Sequence, residues 1–198
     1  GVESSLIYSA GYTANVGLIP SLVQGKQDII ISDELNHGSI IDGVRLTKAQ
    51  RAVFPHNDMG AFEQVLKENQ DAERKLVIVD GVFSMDGDIC PLDELTALAE
   101  EYNAMVMVDD CHGEGVLGDG GRGIVDHFKL QGRVDFEVGS FSKALGVQGG
   151  ILAGKEIVRK HALNHSRSWL LSGSQPPGVA AAQKAAVEVL MDEPEHHS

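Results

Sequence analysis

Short apolar runs alternate with longer amphipathic segments along most of the chain. The runs predict buried strands at residues 28–32, 51–54, 75–80, 104–110, 134–139 and 150–154. Apolar residues that recur every three or four positions predict helices at residues 9–22, 37–48, 91–102, 155–164 and 177–191, and another that begins after Asp58. Residues 1–8 continue either a helix or a strand. This alternation predicts an α/β fold, with a mostly parallel sheet and helices on both faces, in a single domain.

Composition narrows the classes of protein that fit this pattern. The chain has 198 residues, of which 42% are hydrophobic, so it can form one substantial core. Its net charge of −13 disfavours nonspecific binding to nucleic acid, because such a chain repels phosphates. No apolar run approaches the ~20 residues of a membrane span. We therefore expect neither a nucleic acid nor a membrane as a partner.

The cysteines and the chain ends add two expectations. Cys90 and Cys111 do not suggest a disulfide framework, so we expect a reducing, cytoplasmic compartment. Gly1 is not a natural start, and residues 192–198 follow the last predicted helix without a closing element. We therefore expect the chain to be a fragment of a longer protein.

The unusual polar residues of the chain follow the predicted strands. They fall in residues 33–37, 80–87, 109–112 and 140–143. The carboxyl ends of parallel strands meet at one edge of a sheet, and ligands bind there in such folds. The sequence therefore predicts a binding site at this edge.

Lys143 lies among small residues in the segment 138–150, which reads Val-Gly-Ser-Phe-Ser-Lys-Ala-Leu-Gly-Val-Gln-Gly-Gly. Small residues let a backbone approach a ligand closely. Partial burial would lower the pKa of this lysine and make its amine a Schiff-base nucleophile. A solvated loop lysine without a function is the alternative interpretation of this segment alone.

The polar residues at this edge match the needs of pyridoxal 5'-phosphate. Lys143 offers the amine for a Schiff base, and Asp109 offers an acid that keeps the pyridine nitrogen protonated. His112 can bond the phenolic oxygen of the ring, and His37 can cover its face. By residue type alone, Asp109 is also consistent with a strand-end turn, and both histidines with core or loop positions.

The phosphate group needs a helix start and hydroxyl groups. Gly11, Tyr12 and Ser140 offer them. A metal is not expected, because Cys111 and His112 lack the spacing of metal-binding motifs.

Four ordered motifs resemble those of the α-oxoamine synthases, pyridoxal phosphate enzymes of fold type I in the aspartate aminotransferase superfamily. The motifs occupy residues 32–46, 80–88, 106–113 and 139–146. The resemblance covers nearly the whole chain. It implies the cofactor-binding large domain of that fold, three layers arranged α/β/α, over residues 1–198. It also implies that the family's N-terminal segment and C-terminal small domain, which normally supplies an arginine for the amino-acid carboxylate, are absent.

The resemblance implies a role for each matching residue. Lys143 would hold the cofactor and later move protons, and Asp109 would pair with the ring nitrogen. His112 would contact the phenolic oxygen, and His37 would stack on the ring. The remaining residues implied by the resemblance are Ser84 near the ring and substrate, Gly11, Tyr12 and Ser140 at the phosphate, and Ser172 at the phosphate of a neighbouring subunit in a homodimer.

Within the family, residues 33–49 look most like glycine C-acetyltransferase, which condenses glycine with acetyl-CoA to 2-amino-3-oxobutanoate and CoA. The 8-amino-7-oxononanoate synthases, which use alanine and a pimeloyl thioester, are close behind. A cofactor-binding fragment without turnover is the alternative of another class.

Two other patterns carry less weight. Ser140 and Lys143 match the Ser-x-x-Lys of penicillin-binding acyl enzymes, but the Lys-Thr-Gly partner is missing. Residues 118–123 match Gly-x-Gly-x-x-Gly without directly following a strand, so we interpret them as a turn.

Overall fold

The computed structural model of the protein describes residues 2–193. Gly1 and residues 194–198, the two ends of the domain predicted over residues 1–198, lie outside the described residues. The strands in the described range are β1 (Ser4–Tyr8), β2 (Ile29–Asp33), β3 (Gln50–Phe54), β4 (Lys75–Asp80), β5 (Met105–Asp109), β6 (Phe136–Ser140) and β7 (Gly150–Gly154). The helices are α1 (Gly11–Leu22), α2 (Gly38–Arg45), α3 (Met59–Glu68), α4 (Leu92–Glu101), α5 (Ile124–His127), α6 (Glu156–His165), α7 (Arg167–Leu170) and α8 (Pro177–Asp192), with a short 3-10 helix at Asp119–Gly121.

The seven strands of the described residues form one sheet. Its strands are ordered β1-β7-β6-β5-β4-β2-β3. The neighbouring strands from β6 through β3 pair in parallel, whereas β7 runs antiparallel to both β6 and β1. The mostly parallel sheet predicted from the sequence is therefore confirmed. The sequence pattern did not decide between helix and strand for residues 1–8. The strand β1 forms there by pairing with a segment far along the chain, with Ser4 opposite Gly154.

The central strand β4 shows why the core lies on both faces of the sheet. All six of its residues are buried. Val77 and Val79 pack with the apolar faces of α3 and α4. Leu76 and Ile78 point to the other face and pack with α1 and α2. Because side chains alternate along a strand, a strand covered on both sides reads as an unbroken apolar run.

Element boundaries follow local hydrogen bonds. The Asp58 carboxylate accepts from Ala61 N at 2.9 Å and starts α3 as predicted, a cap whose loss costs about 1 kcal/mol. Helix α2 ends at Arg45, before the predicted residue 48, because Thr47 donates its hydroxyl to Val44 O at 2.9 Å. The helices α5 and α7 were not predicted, since four residues are too few to show a period.

Candidate active site

A cavity of about 200 Å³ opens at the carboxyl ends of β4, β5 and β6, beside the start of α1. It contains all the predicted site residues except Ser84 and Ser172. The cavity is lined by Ala10, Gly11, Tyr12, His37, Ser39, Asp80, Asp109, Cys111, His112, Ser140, Ser142 and Lys143. The structure therefore gathers residues from five separate segments at the edge where the sequence predicted a site.

Asp109 ends β5 and is buried. Its Oδ2 accepts a hydrogen bond from Asn15 Nδ2 at 2.6 Å, and its Oδ1 accepts from Cys111 N at 3.1 Å. Both oxygens are thus fixed by donors from different elements. The carboxylate is therefore held in one orientation at the wall of the cavity.

Asn15 is a residue of this site that the sequence reasoning missed. It is fully buried in α1, and its Nδ2 bonds Ser39 Oγ at 2.9 Å as well as Asp109. Its Oδ1 has no hydrogen-bond partner within residues 2–193. The sequence did contain a signal for it. Asn15 lies three and four positions before Leu18 and Ile19, on the same helix face, where an apolar residue is expected.

A chain of hydrogen bonds continues from Asn15 to His37. Ser39 Oγ lies 2.7 Å from His37 Nδ1, and Ser39 N donates to the same nitrogen at 3.2 Å. His37 caps the start of α2. Asp109 and His37, two predicted site residues, are therefore connected through the side chains of Asn15 and Ser39.

Asp80 lies opposite Asp109 in the pairing of β4 with β5. Its Oδ2 accepts from His37 N at 2.9 Å. Burial, followed by the nearby charge of Asp109, raises the pKa of Asp80 to about 8. Asp80 is therefore mostly protonated at neutral pH, which relieves repulsion between the two carboxyl groups.

His112 faces the cavity from the loop after β5. Burial, followed by the charge of Lys143, lowers its pKa below the usual range for histidine. The ring is thus neutral at pH 7 and offers one N–H donor and one acceptor.

Lys143 lies in the turn between β6 and β7. Phe141 N donates to Gly149 O at 3.1 Å, and Gly146 N donates to Lys143 O at 3.0 Å. Gly146 has φ +64°, a conformation that favours glycine. The residue Lys143 is exposed, so the partial burial expected from the sequence is not observed in the described residues.

Ser140 is buried at the end of β6. Its Oγ donates to Gly149 O at 3.2 Å and lies 2.7 Å from Ser142 Oγ. The start of α1 approaches closely here, because a Cβ on Gly11 would lie 3.3 Å from Ser140 Cβ. Backbone amides at the start of a helix and a hydroxyl side chain together suit an anionic group. The end of a strand is not the helix start that the Ser-x-x-Lys acyl enzymes require.

Three predicted features lie apart from this cavity. Ser84 is exposed in the loop between β4 and α4. Ser172 is exposed, lines a separate cavity, and donates its hydroxyl to Trp169 O at 3.2 Å. The roles of both serines stay predictions. Residues 118–123 form the 3-10 helix and the residues flanking it, in agreement with the predicted turn.

Among residues 2–193, no group of three or more histidine, cysteine or acidic side chains is arranged to hold a metal ion. A helix long and apolar enough to cross a membrane is likewise absent from the described part of the chain.

Comparisons with known proteins define the class. The family model of the class I and II aminotransferases matches residues 1–197, so the chain belongs to this family. It is 52% identical over 193 residues to an 8-amino-7-oxononanoate synthase of Bacillus pumilus, covering 98% of this chain and 49% of that protein. An 8-amino-7-oxononanoate synthase of Thermosipho melanesiensis is 54% identical over 194 residues, again 98% of this chain and 49% of that protein.

A solved structure of the serine palmitoyltransferase from S. paucimobilis, with a bound PLP–myriocin aldimine, superposes with a TM-score of 0.92. It is 36% identical and covers 96% of this chain and 48% of that one. The fold is therefore the α/β fold of type I pyridoxal phosphate enzymes, as the motifs implied. The chain spans about half the length of the curated relatives it matches. These two relatives carry the name that the motif analysis kept as its alternative, and neither is named glycine C-acetyltransferase.

Proposed function

We propose that the chain is the cofactor-binding part of a pyridoxal phosphate-dependent acyltransferase of the α-oxoamine synthase type. One observation carries the proposal: Lys143, Asp109, His112 and His37 line a single cavity beside the start of α1. Relatives about half identical to this chain are named 8-amino-7-oxononanoate synthase. We accordingly propose alanine and a pimeloyl thioester as the substrates. Glycine with acetyl-CoA is the second candidate, on the basis of residues 33–49.

The residues present fit this cofactor. The buried Asp109 carboxylate, held by Asn15 and Cys111 N, supplies a fixed anion for a protonated ring nitrogen. The start of α1 and Ser140 supply donors for a phosphate. An orphaned acceptor, Asn15 Oδ1, lies beside the same carboxylate.

When bound, pyridoxal phosphate supplies an electron sink that stabilises negative charge at the α-carbon of an amino acid. Lys143 would attach the cofactor through Nζ and, once released, move the proton at that carbon. Asp109 would hold a proton on the ring nitrogen. His112, neutral at pH 7, would donate a hydrogen bond to the phenolic oxygen, and His37 would cover the ring face.

We also propose an oligomeric state and a cellular compartment for the protein. Ser172 would reach the phosphate of a second subunit in a homodimer. Cys90 and Cys111 are free, which supports a reducing, cytoplasmic compartment.

The test combines a spectrum with a turnover assay. The protein incubated with pyridoxal phosphate should gain a visible absorbance band that borohydride bleaches. Lys143→Ala should lack the band, and the exposed control Lys155→Ala should keep it. CoA release should be faster with alanine and pimeloyl-CoA than with glycine and acetyl-CoA. A colourless wild-type protein would contradict the proposal, and a band without CoA release would support the fragment without turnover.

A further inference from the structure

A partly buried carboxylate, Glu114, lies behind the cavity in the loop that follows His112. Its Oε2 accepts a hydrogen bond from Ser140 N at 3.0 Å. Glu114 is absent from the residues that line the cavity, and neither the family motifs nor the proposed chemistry gives it a role. Within residues 2–193, the hydrogen bond of its carboxylate goes to the end of strand β6.

The end of β6 has an amide that its neighbouring strands leave unpaired. Phe141 N donates to Gly149 O on the β7 side. Successive amides of a strand point in opposite directions, so Ser140 N points towards β5. The strand β5 has already turned away, since its last pairing is Asp109 with Val138 and Asp110 N donates to Val138 O at 2.7 Å. Glu114 accepts the hydrogen bond that a continuing strand would otherwise accept.

Gly139 makes room for this contact. A Cβ built on Gly139 would lie 2.0–2.2 Å from the carboxylate atoms of Glu114. Any other residue would displace the carboxylate from Ser140 N. Glycine at this position therefore follows from the place that Glu114 occupies.

Glu114 thus connects the segments that follow β5 and β6, beyond the point where the two strands stop pairing. Its own segment carries Asp109 and His112, and the segment it bonds carries Ser140 and Lys143. We propose that Glu114 is a positioning residue, which fixes Ser140 and the following lysine turn relative to Asp109 and His112. Its expected consequence, a higher affinity for pyridoxal phosphate, rests on the proposed function.

The surroundings of Glu114 are otherwise acidic. Burial raises its pKa to about 7, and the charges of Asp109 and Glu137 act in the same direction. Keeping the Glu114 side chain ionised in such surroundings costs free energy. Glutamine would keep an acceptor oxygen for Ser140 N without that cost, which makes Glu114→Gln the informative substitution.

The first test measures the backbone and needs no cofactor. In Glu114→Ala the amides of residues 140–146 should exchange with solvent faster than in the wild type. In Glu114→Gln their protection should be retained. Glu137→Gln is the matched control, because Glu137 is a partly buried residue of β6 whose carboxylate makes no hydrogen bond within residues 2–193. Unchanged exchange in Glu114→Ala, or equal loss in both Glu114 variants, would overturn the inference.

The second test measures the dissociation constant of pyridoxal phosphate. Glu114→Ala should weaken binding on the order of tenfold, because binding would then also have to order Ser140 and the lysine turn. Glu114→Gln and Glu137→Gln should remain within about twofold of the wild type. If Glu114→Ala is insoluble, Glu114→Asp replaces it, since the shorter side chain withdraws the carboxylate from Ser140 N. A wild type that does not bind the cofactor would contradict the proposed function, whereas the exchange result would still decide the role of Glu114.

Discussion

Two places at the same edge of the sheet each combine a histidine with aspartates, and they differ in what the histidine contacts. The first is the His56 cluster, formed by His56, Asn57, Asp33 and Asp88. His56 Nδ1 lies 3.0 Å from Asp33 Oδ1, and Nε2 lies 2.5 Å from Asp88 Oδ2. The second is the cavity, where the ring of His112 has no hydrogen-bond partner within residues 2–193.

The pKa values of the two histidines shift in opposite directions, although burial lowers both. Burial alone lowers the pKa of His56, but the hydrogen bonds to Asp88 and Asp33 outweigh it and raise the pKa. The pKa of His112 is lowered, first by burial and then by the charge of Lys143. A histidine whose two nitrogens both meet carboxylates stabilises the fold as a cation. A neutral histidine that faces an open cavity is available to a ligand.

The His56 cluster also has a structural task that the cavity lacks. Asp33 ends β2, and Asp88 lies in the loop between β4 and α4, so His56 connects two segments that flank the site. The ring also packs edge-on against Phe83, with centroids 4.3 Å apart. Substitutions in the cluster should therefore change stability, and substitutions in the cavity should change ligand binding and turnover.

The largest effect is expected from Asp109→Ala. Turnover should fall on the order of 10²-fold or more, because the fixed anion that we propose as the partner of the ring nitrogen is lost. Steady-state CoA release and the visible spectrum measure this change. The matched control is Asp33→Asn in the His56 cluster, which should retain the absorbance band. A loss of the band in Asp33→Asn equal to that in Asp109→Ala would contradict the separation of the two places.

His56→Ala should have the next largest effect, on the free energy of unfolding. The side chain of Asp33 is fully buried, so removing His56 leaves a buried carboxylate without its cation. We expect a loss of about 2 kcal/mol, below the value for a fully buried pair because His56 is partly exposed. Denaturant unfolding measures it. His112→Ala should change the unfolding free energy by less than about 1 kcal/mol, and a larger loss there would refute the comparison.

Stability should decrease as pH rises from about 4, the ordinary pKa of an aspartate, to about 8, the raised value in the folded chain. Burial raises the pKa of Asp80 and Asp110 to about 8, and the pKa of His56 is also raised. Groups with a raised pKa bind more protons in the folded chain, so their contribution to stability is lost as pH rises through the folded value. Thermal unfolding followed by the fluorescence of Trp169 measures the trend, at roughly 2–4 °C for each kcal/mol.

Variants show which place dominates this pH dependence. Asp80→Asn should flatten it between about pH 4 and about pH 8 through the cavity, and His56→Gln should flatten only the part above about pH 6.5 through the cluster. Stability that rises over the same interval in the wild type would contradict the expected direction.

The apolar runs were sufficient to predict the parallel strands and the edge where their ends meet. Lys143, Asp109 and His112 could be found because each lies within four residues of the end of such a run. The contacts of Asn15 and Glu114 could not be predicted, since they depend on the packing of α1 and on the separation of β5 from β6. The choice between two acyltransferases stays a proposal for a related reason: motifs matched to a shared cofactor say little about the substrates.

The antiparallel strand β7 has a consequence for the lysine. Because β6 and β7 are neighbours in opposite directions, the segment that carries Lys143 leaves the sheet and returns to it at the same edge. No helix lies between β6 and β7 in the chain, so no connecting helix fixes the length of this hairpin. The reach of the lysine can therefore change during evolution while the core that supports Asp109 stays the same.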